Sequence, residues 1–167
     1  MKTTPQQLLD RLVELGIEAR THTHPPLHTV EESQALRGDI PGAHCKNLFL
    51  KDKKGAFWLV VTLEDTPVDL KQLKKHIGSA HLSFGRAEYL RDMLGVEPGS
   101  VTPFALINDP DGRVNVVLDS EMMAFEWINF HPLVNTATTT IRPGDLLRFV
   151  KACGFEPQLL EVAPKDA

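Results

Sequence analysis

His44, Cys45 and Lys46 stand consecutively in PGAHCKNLFL (41–50), where a small turn gives way to an apolar run. A thiol beside an imidazole is the raw material of nucleophilic acyl transfer, and a lysine is a flexible point charge for a phosphate or a ribose. Neighbours on an extended chain point to opposite faces, so His44 and Cys45 are poorly placed to share a proton. Cys45 therefore reads as a small buried hydrophobe at a strand start. Lys46 falls on the face of His44 and reads as a solvated flank or as a ligand contact. The residues alone leave both open.

Three further stretches carry side chains of interest. HTHPPLH (22–28) offers His22, His24 and His28, yet zinc needs at least three ligands with supporting partners, and no acid or cysteine sits at a recognisable spacing. These histidines read as surface or strand-edge residues, and no metal is expected. PGSVTPFALIND (98–109) brackets small residues between Gly99 and Pro103, which lets backbone groups approach a ligand closely. NFHPLVNTATTT (129–140) holds His131 with a proline and follows it with asparagine and threonines. That run is either β-propensity or the lining of a small polar pocket.

The elements that must position these residues follow from periodicity and punctuation. Thr4 before Pro5 starts a helix carrying Leu8, Leu12 and Leu15, and Gly16 closes it. Residues 17–24 alternate as a strand, which Pro25 and Pro26 stop. Thr29 to Arg37 has capping-box spacing and predicts a short helix. NLFLKDKKGAFWLVVTLE (47–64) predicts a hairpin around Gly55. Helices are expected at Asp69–Ile77, Arg86–Leu94 and Gly144–Cys153. A second hairpin is expected from Thr102–Asn108 and Arg113–Asp119, a third strand pair from Glu126–Phe130 and Asn135–Ile141, and a short strand at the C-terminus. Hairpins interrupted by helices favour an α+β fold over a doubly wound sheet, and no linker divides the chain, so residues 1–167 are expected to form one domain.

Composition sets the outer bounds. The chain has 167 residues, 42% hydrophobic and 24% charged, enough for one real core. A formal net charge of −4 argues against coating nucleic acid by charge alone, but not against gripping one RNA end. Cys45 and Cys153 belong to no CxxC pair. MKTTPQQLLDRLVELG mixes polar residues among its leucines, so it reads as no signal peptide, and no run is long enough to span a membrane. A cytoplasmic protein is the expectation.

GAHCKNLFLKDKKGAFWLVV (42–61), PGSVTPFALIND (98–109) and NFHPLVNTATTTI (129–141), in that order, resemble the YbaK/ProX superfamily of aminoacyl-tRNA editing proteins. The resemblance runs over nearly the whole chain and is strongest to the freestanding ProX-type branch. It implies a curved mixed or antiparallel sheet, a partial barrel, flanked by helices. It implies deacylation of alanine wrongly attached to tRNA(Pro), with water or the substrate 2′-hydroxyl assisting and no cofactor. Lys46 matches the lysine that grips the 3′-terminal adenosine, and Gly99 matches the residue whose carbonyl orients water or ribose. His131 matches the pocket histidine, and Asn47 follows the lysine as in that branch. Thr29, Val30, Phe49, Ser100 and Thr136 flank the matched motifs and are expected to line the substrate pocket.

The expected partner is the 3′ acceptor end of tRNA(Pro), with prolyl-tRNA synthetase as a second candidate, and neither DNA nor membrane. Lys46, Lys51, Lys53 and Lys54 on the hairpin, with Lys71, Lys74 and Lys75 on the following helix, form a basic patch or a solvated face. Two alternatives stay open: a deacylase for cysteine or another small amino acid, and a module that binds tRNA ends or a synthetase without hydrolysis.

Overall fold

The structure, a computed structural model of the chain, describes residues 2–26 and 40–163. Strand-forming residues gather into one eight-stranded mixed sheet that does not close into a barrel. The strands are β1 (Ala19–Thr23), β2 (Ala43–Asp52), β3 (Phe57–Leu63), β4 (Leu82–Phe84), β5 (Val114–Asp119), β6 (Ile128–Phe130), β7 (Ala137–Ile141) and β8 (Gln158–Leu160). Their spatial order is β1-β7-β6-β2-β3-β5-β8, with β4 paired to the far end of β2. The helices are α1 (Pro5–Glu14), α2 (Leu70–Ile77), α3 (Ala87–Leu94) and α4 (Pro143–Ala152).

Local chemistry explains the helix ends. Thr4 accepts from Gln7 N while the Gln7 side chain accepts from Thr4 N, a reciprocal cap that satisfies two orphan donors. Asp69 caps α2 through Lys71 N. The β2–β3 hairpin forms as its alternation predicts, with Cys45 opposite Leu63 and Lys51 opposite Phe57. β6 and β7 also pair antiparallel, as expected.

The second expected hairpin is not there. Pro103–Asn108 is a short 3-10 helix, started by Pro103 after Thr102, whose hydroxyl accepts from Phe104 N. A short apolar run is ambiguous between strand and helix, and the proline with its capping threonine decides for the helix. β5 instead runs parallel to β3, and β8 parallel to β5. The sheet is thus more parallel than the sequence suggested.

Two apolar clusters cover the sheet unequally. One face carries the main core, where Leu8 and Leu12 of α1, Leu90 and Leu94 of α3 and Phe149 of α4 meet Leu59, Val61, Leu118 and Phe130. Each such fully buried side chain contributes about 1.5–3 kcal/mol. On the other face, Leu73 and Ile77 of α2 form a smaller cluster with Leu50, Trp58, Val60, Leu82, Val117 and Val162. Beyond that patch the same face turns polar.

Candidate functional site

The polar part of that second face is built from alternation. Across β1, β7, β6 and β2, Arg20 pairs with Thr140, Thr140 with Asn129, and Asn129 with His44. A second row lies one step along. His22 pairs with Thr138 and Lys46 with Thr62, and Thr62 Oγ1 donates to Asp119 Oδ2 at 2.5 Å. His131, one residue beyond β6, stands between the two halves of this row. The β2–β6 ladder consists of Ala43–Ile128 and His44–Asn129, so the strands part where Lys46 and His131 follow. Directly paired residues share a face, and this is how residues distant in sequence come to share the face beside the opening between β2 and β6.

Lys46 Nζ donates to the carbonyl of Thr66, in the loop after β3. Beside it lies a cavity of about 710 Å³ whose wall includes His44, Glu64, Thr66, Glu121 and Phe125. Burial pushes the Cys45 thiol up to about 12, and its Sγ lies 3.8 Å from the Ala43 carbonyl among core side chains. A thiol in that state supplies no nucleophile at neutral pH. His131 Nδ1 lies 2.9 Å from Ala137 O. A carbonyl only accepts, so Nδ1 carries the proton and the neutral ring offers Nε2 as an acceptor. Burial holds His131 below its ordinary 6.5, opposed by the Ala137 bond and aided by His24.

The other expected site residues divide between the faces. A Cβ added to Gly99 would lie 3.6 Å from Asn135 Nδ2, which places the Gly99 loop against the β6–β7 turn. Thr136 sits on that turn, and its carbonyl accepts from His24 N at 2.8 Å. Ser100 is buried and donates its N–H to Glu97 O. Phe49 is 5% exposed, stacked on Phe57 and packed under Gly85, so it faces the core rather than the opening. Asn47 shares the Phe49 side, where its Oδ1 is buried without a partner. Thr29, Val30, His28 and the expected helix at Thr29–Arg37 lie outside the described residues.

Thr62 and Asp119 were not singled out in the sequence, where His24 read as a strand-edge histidine and Thr138 only as part of a threonine run that could line a pocket. His24 Nε2 meets Thr138 Oγ1 at 2.9 Å, and its ring centroid is 6.5 Å from that of His131. The available signal was position: His24 ends an alternating strand immediately before two prolines. Among the described residues, no three His, Cys, Asp or Glu side chains are grouped to hold a metal ion.

Of the lysines in the expected basic patch, only Lys51 and Lys53 line a common groove. Lys51, Lys53, His81 and Arg86 line a groove of about 400 Å³ with Phe84 and Tyr89. Phe84 is 66% exposed, and Lys51 Nζ lies 5.0 Å from the Tyr89 ring centroid. Lys46 belongs to the opposite face of β2.

The model of the aminoacyl-tRNA editing domain matches residues 24–149. The chain belongs to that family. Within it, the chain is 42% identical over 158 residues to the bovine prolyl-tRNA synthetase associated domain-containing protein 1, covering 92% of each. It is 37% identical over 158 residues to the prolyl-tRNA editing protein ProX of Acetoanaerobium sticklandii, covering 94% of this chain and 96% of that one. A solved structure described as a candidate trans-editing enzyme for prolyl tRNA synthetase shares this editing-domain fold, with a TM-score of 0.70 at 18% identity over 96% of this chain and 99% of the other. The mixed, unclosed sheet with flanking helices is therefore the fold of the editing domain. Among the described residues, no helix is long and apolar enough to cross a membrane.

Proposed function

We propose that this editing-domain protein acts in trans on mischarged tRNA(Pro), hydrolysing the ester that joins alanine to the terminal adenosine. The observation that carries this reading is the split of β2 from β6, which sets the Lys46 cation and the His131 acceptor on one polar face. Membership of the family and the ProX likeness supply the substrate class.

In this reading Lys46 leaves the Thr66 carbonyl to hold the ribose or phosphate of the terminal nucleotide. The Gly99 backbone, against the β6–β7 turn, orients the ester. His131 Nε2 accepts from the attacking water or from the 2′-hydroxyl. Water adds to the ester carbon, the carbon–oxygen bond to the ribose breaks, and alanine and tRNA with a free hydroxyl leave. Positioning of this kind supplies up to about 7–11 kcal/mol without a covalent intermediate, consistent with a Cys45 held as thiol. The groove of Lys51, Lys53 and Arg86, with Phe84 and Tyr89 for stacking, lies on the face of β2 opposite Lys46, so it suits a part of the RNA away from the terminal ester.

The test is deacylation of tRNA(Pro) charged separately with alanine, cysteine and proline. Loss of alanine alone supports this reading. Preferred loss of cysteine reassigns the substrate, and stability of all three esters abandons hydrolysis for a tRNA-end binding role.

A further inference from the structure

The His24–Thr138 contact belongs to no role assigned so far, and a carbonyl beside the ring selects its tautomer. His24 Nδ1 lies 2.8 Å from the carbonyl of Pro25. That oxygen can only accept, so Nδ1 carries the proton and the neutral ring leaves Nε2 bare. The atom facing Nε2 is Thr138 Oγ1, at 2.9 Å. Thr138 must therefore donate its single proton to His24. A hydroxyl has one proton and two lone pairs, so what Thr138 retains is acceptor capacity only.

The neighbouring threonines differ. Thr140 donates to Asn129 Oδ1 at 2.6 Å, and Thr139 shares a bond with Thr21 at 2.8 Å on the other face. Thr138 alone of the three is oriented by an imidazole, and it stands in the row that leads through His131 to Lys46. His131 likewise has its proton committed to Ala137 and Nε2 as an acceptor. Thr138 and His131 thus each retain an acceptor, and the rings of His24 and His131 lie 6.5 Å apart. The His24 backbone is itself held, since its N–H donates to Thr136 O at 2.8 Å and Pro25 follows directly, and its ring is tied at both nitrogens.

We propose that His24 is a positioning residue that turns the Thr138 lone pairs toward the opening, where Thr138 holds an O–H group of the reacting complex. This rests on the deacylase reading above. The O–H group belongs either to the attacking water or to the terminal ribose, and both require an acceptor held still.

The experiment is a double-mutant cycle on alanyl-tRNA(Pro) at pH 8, with kcat and KM measured for wild type, His24→Phe, Thr138→Val and the double variant. Each single change lowers kcat by about tenfold with KM nearly constant, and Thr138→Ser restores it. Because His24 acts through Thr138, the double variant is no slower than Thr138→Val alone. Losses that multiply, or kcat unchanged in Thr138→Val, overturn the proposal. Long-range proton–nitrogen NMR of the wild-type imidazoles reads the same claim without mutation: a bare Nε2 on His24 upholds it, and a protonated Nε2 with a bare Nδ1 overturns it. A substrate ending in 2′-deoxyadenosine names the source of the O–H group. The Thr138→Val loss vanishes there if the group is the ribose hydroxyl and persists if it is water, and either result upholds the proposal. A wild type inert on every ester sinks the deacylase reading and this proposal together. An active wild type with an indifferent Thr138→Val sinks only the latter.

Discussion

A free cysteine is a few per cent thiolate at pH 7, which is what makes it a useful nucleophile. Cys45 has lost that fraction, since burial pushes it up to about 12, and its neighbour Lys46 keeps a cation at the opening instead. Cys45→Ala should accordingly keep deacylation within about threefold of wild type in a steady-state assay, because no covalent step is lost. His131 makes the complementary prediction for pH. Its folded value lies below the ordinary 6.5, so the unfolded chain binds the proton more readily. Its contribution to stability is present above 6.5 and is lost as pH falls through the lower folded value. Urea midpoints measured from pH 8 to pH 5 should fall in the acid range for wild type and fall less for His131→Asn. A steeper fall in the variant would contradict the assignment. Lys46 was visible in the sequence as a cation at a strand mouth. His24 was visible only as one of three clustered histidines, because only the fold brings it to a threonine over a hundred residues away.

Among the elements, Asp52 at the end of β2 shows how one buried carboxylate ties a hairpin to its surroundings. It accepts from Lys54 N and Ala56 N within the turn, from Trp58 Nε1 in β3, and from Ala80 N after α2. Burial by itself would raise its carboxyl, but these four hydrogen bonds together hold it below its ordinary value. Asp52→Ala strips all four donors, and with a charged acceptor removed the expected loss is about 2–4 kcal/mol in urea unfolding. Asp52 lies outside the row from His131 to Asp119, so kcat per folded molecule should remain, while RNA affinity can change because Asp52 lines the Lys51–Arg86 groove. The β2–β3 hairpin was legible because strict alternation surrounds a glycine turn. β4 was invisible at three residues. The PFALIN segment was misread because apolar runs of that length carry no period of their own, and only the buried fit of Phe104, Ala105 and Leu106 shows what it packs against.

The whole molecule joins an acidic net charge of −4 to a local basic groove, and the pairing predicts how it meets RNA. Few phosphates can be touched, so binding of an acceptor-stem RNA should be modest and fall with salt. Lys51→Ala and Arg86→Ala should each shallow the slope of log K against log salt by about 0.7–0.9. An unchanged slope would remove the groove from the RNA path. The fold class could be reached from three motifs, which also single out Lys46, His131 and Gly99 as the proposed site. The polar rows could not, because each joins strands from opposite ends of the chain through parallel and antiparallel registers that no local pattern encodes. What the fold adds is the gap where β2 leaves β6, with Lys46 on one lip and His131 on the other. The most direct test is single-turnover hydrolysis of alanyl-tRNA(Pro) by wild type and by Lys46→Ala of matched thermal stability. Rapid hydrolysis by wild type, reduced by at least about a hundredfold in Lys46→Ala, is the predicted result. Equal rates in the two proteins would contradict the account.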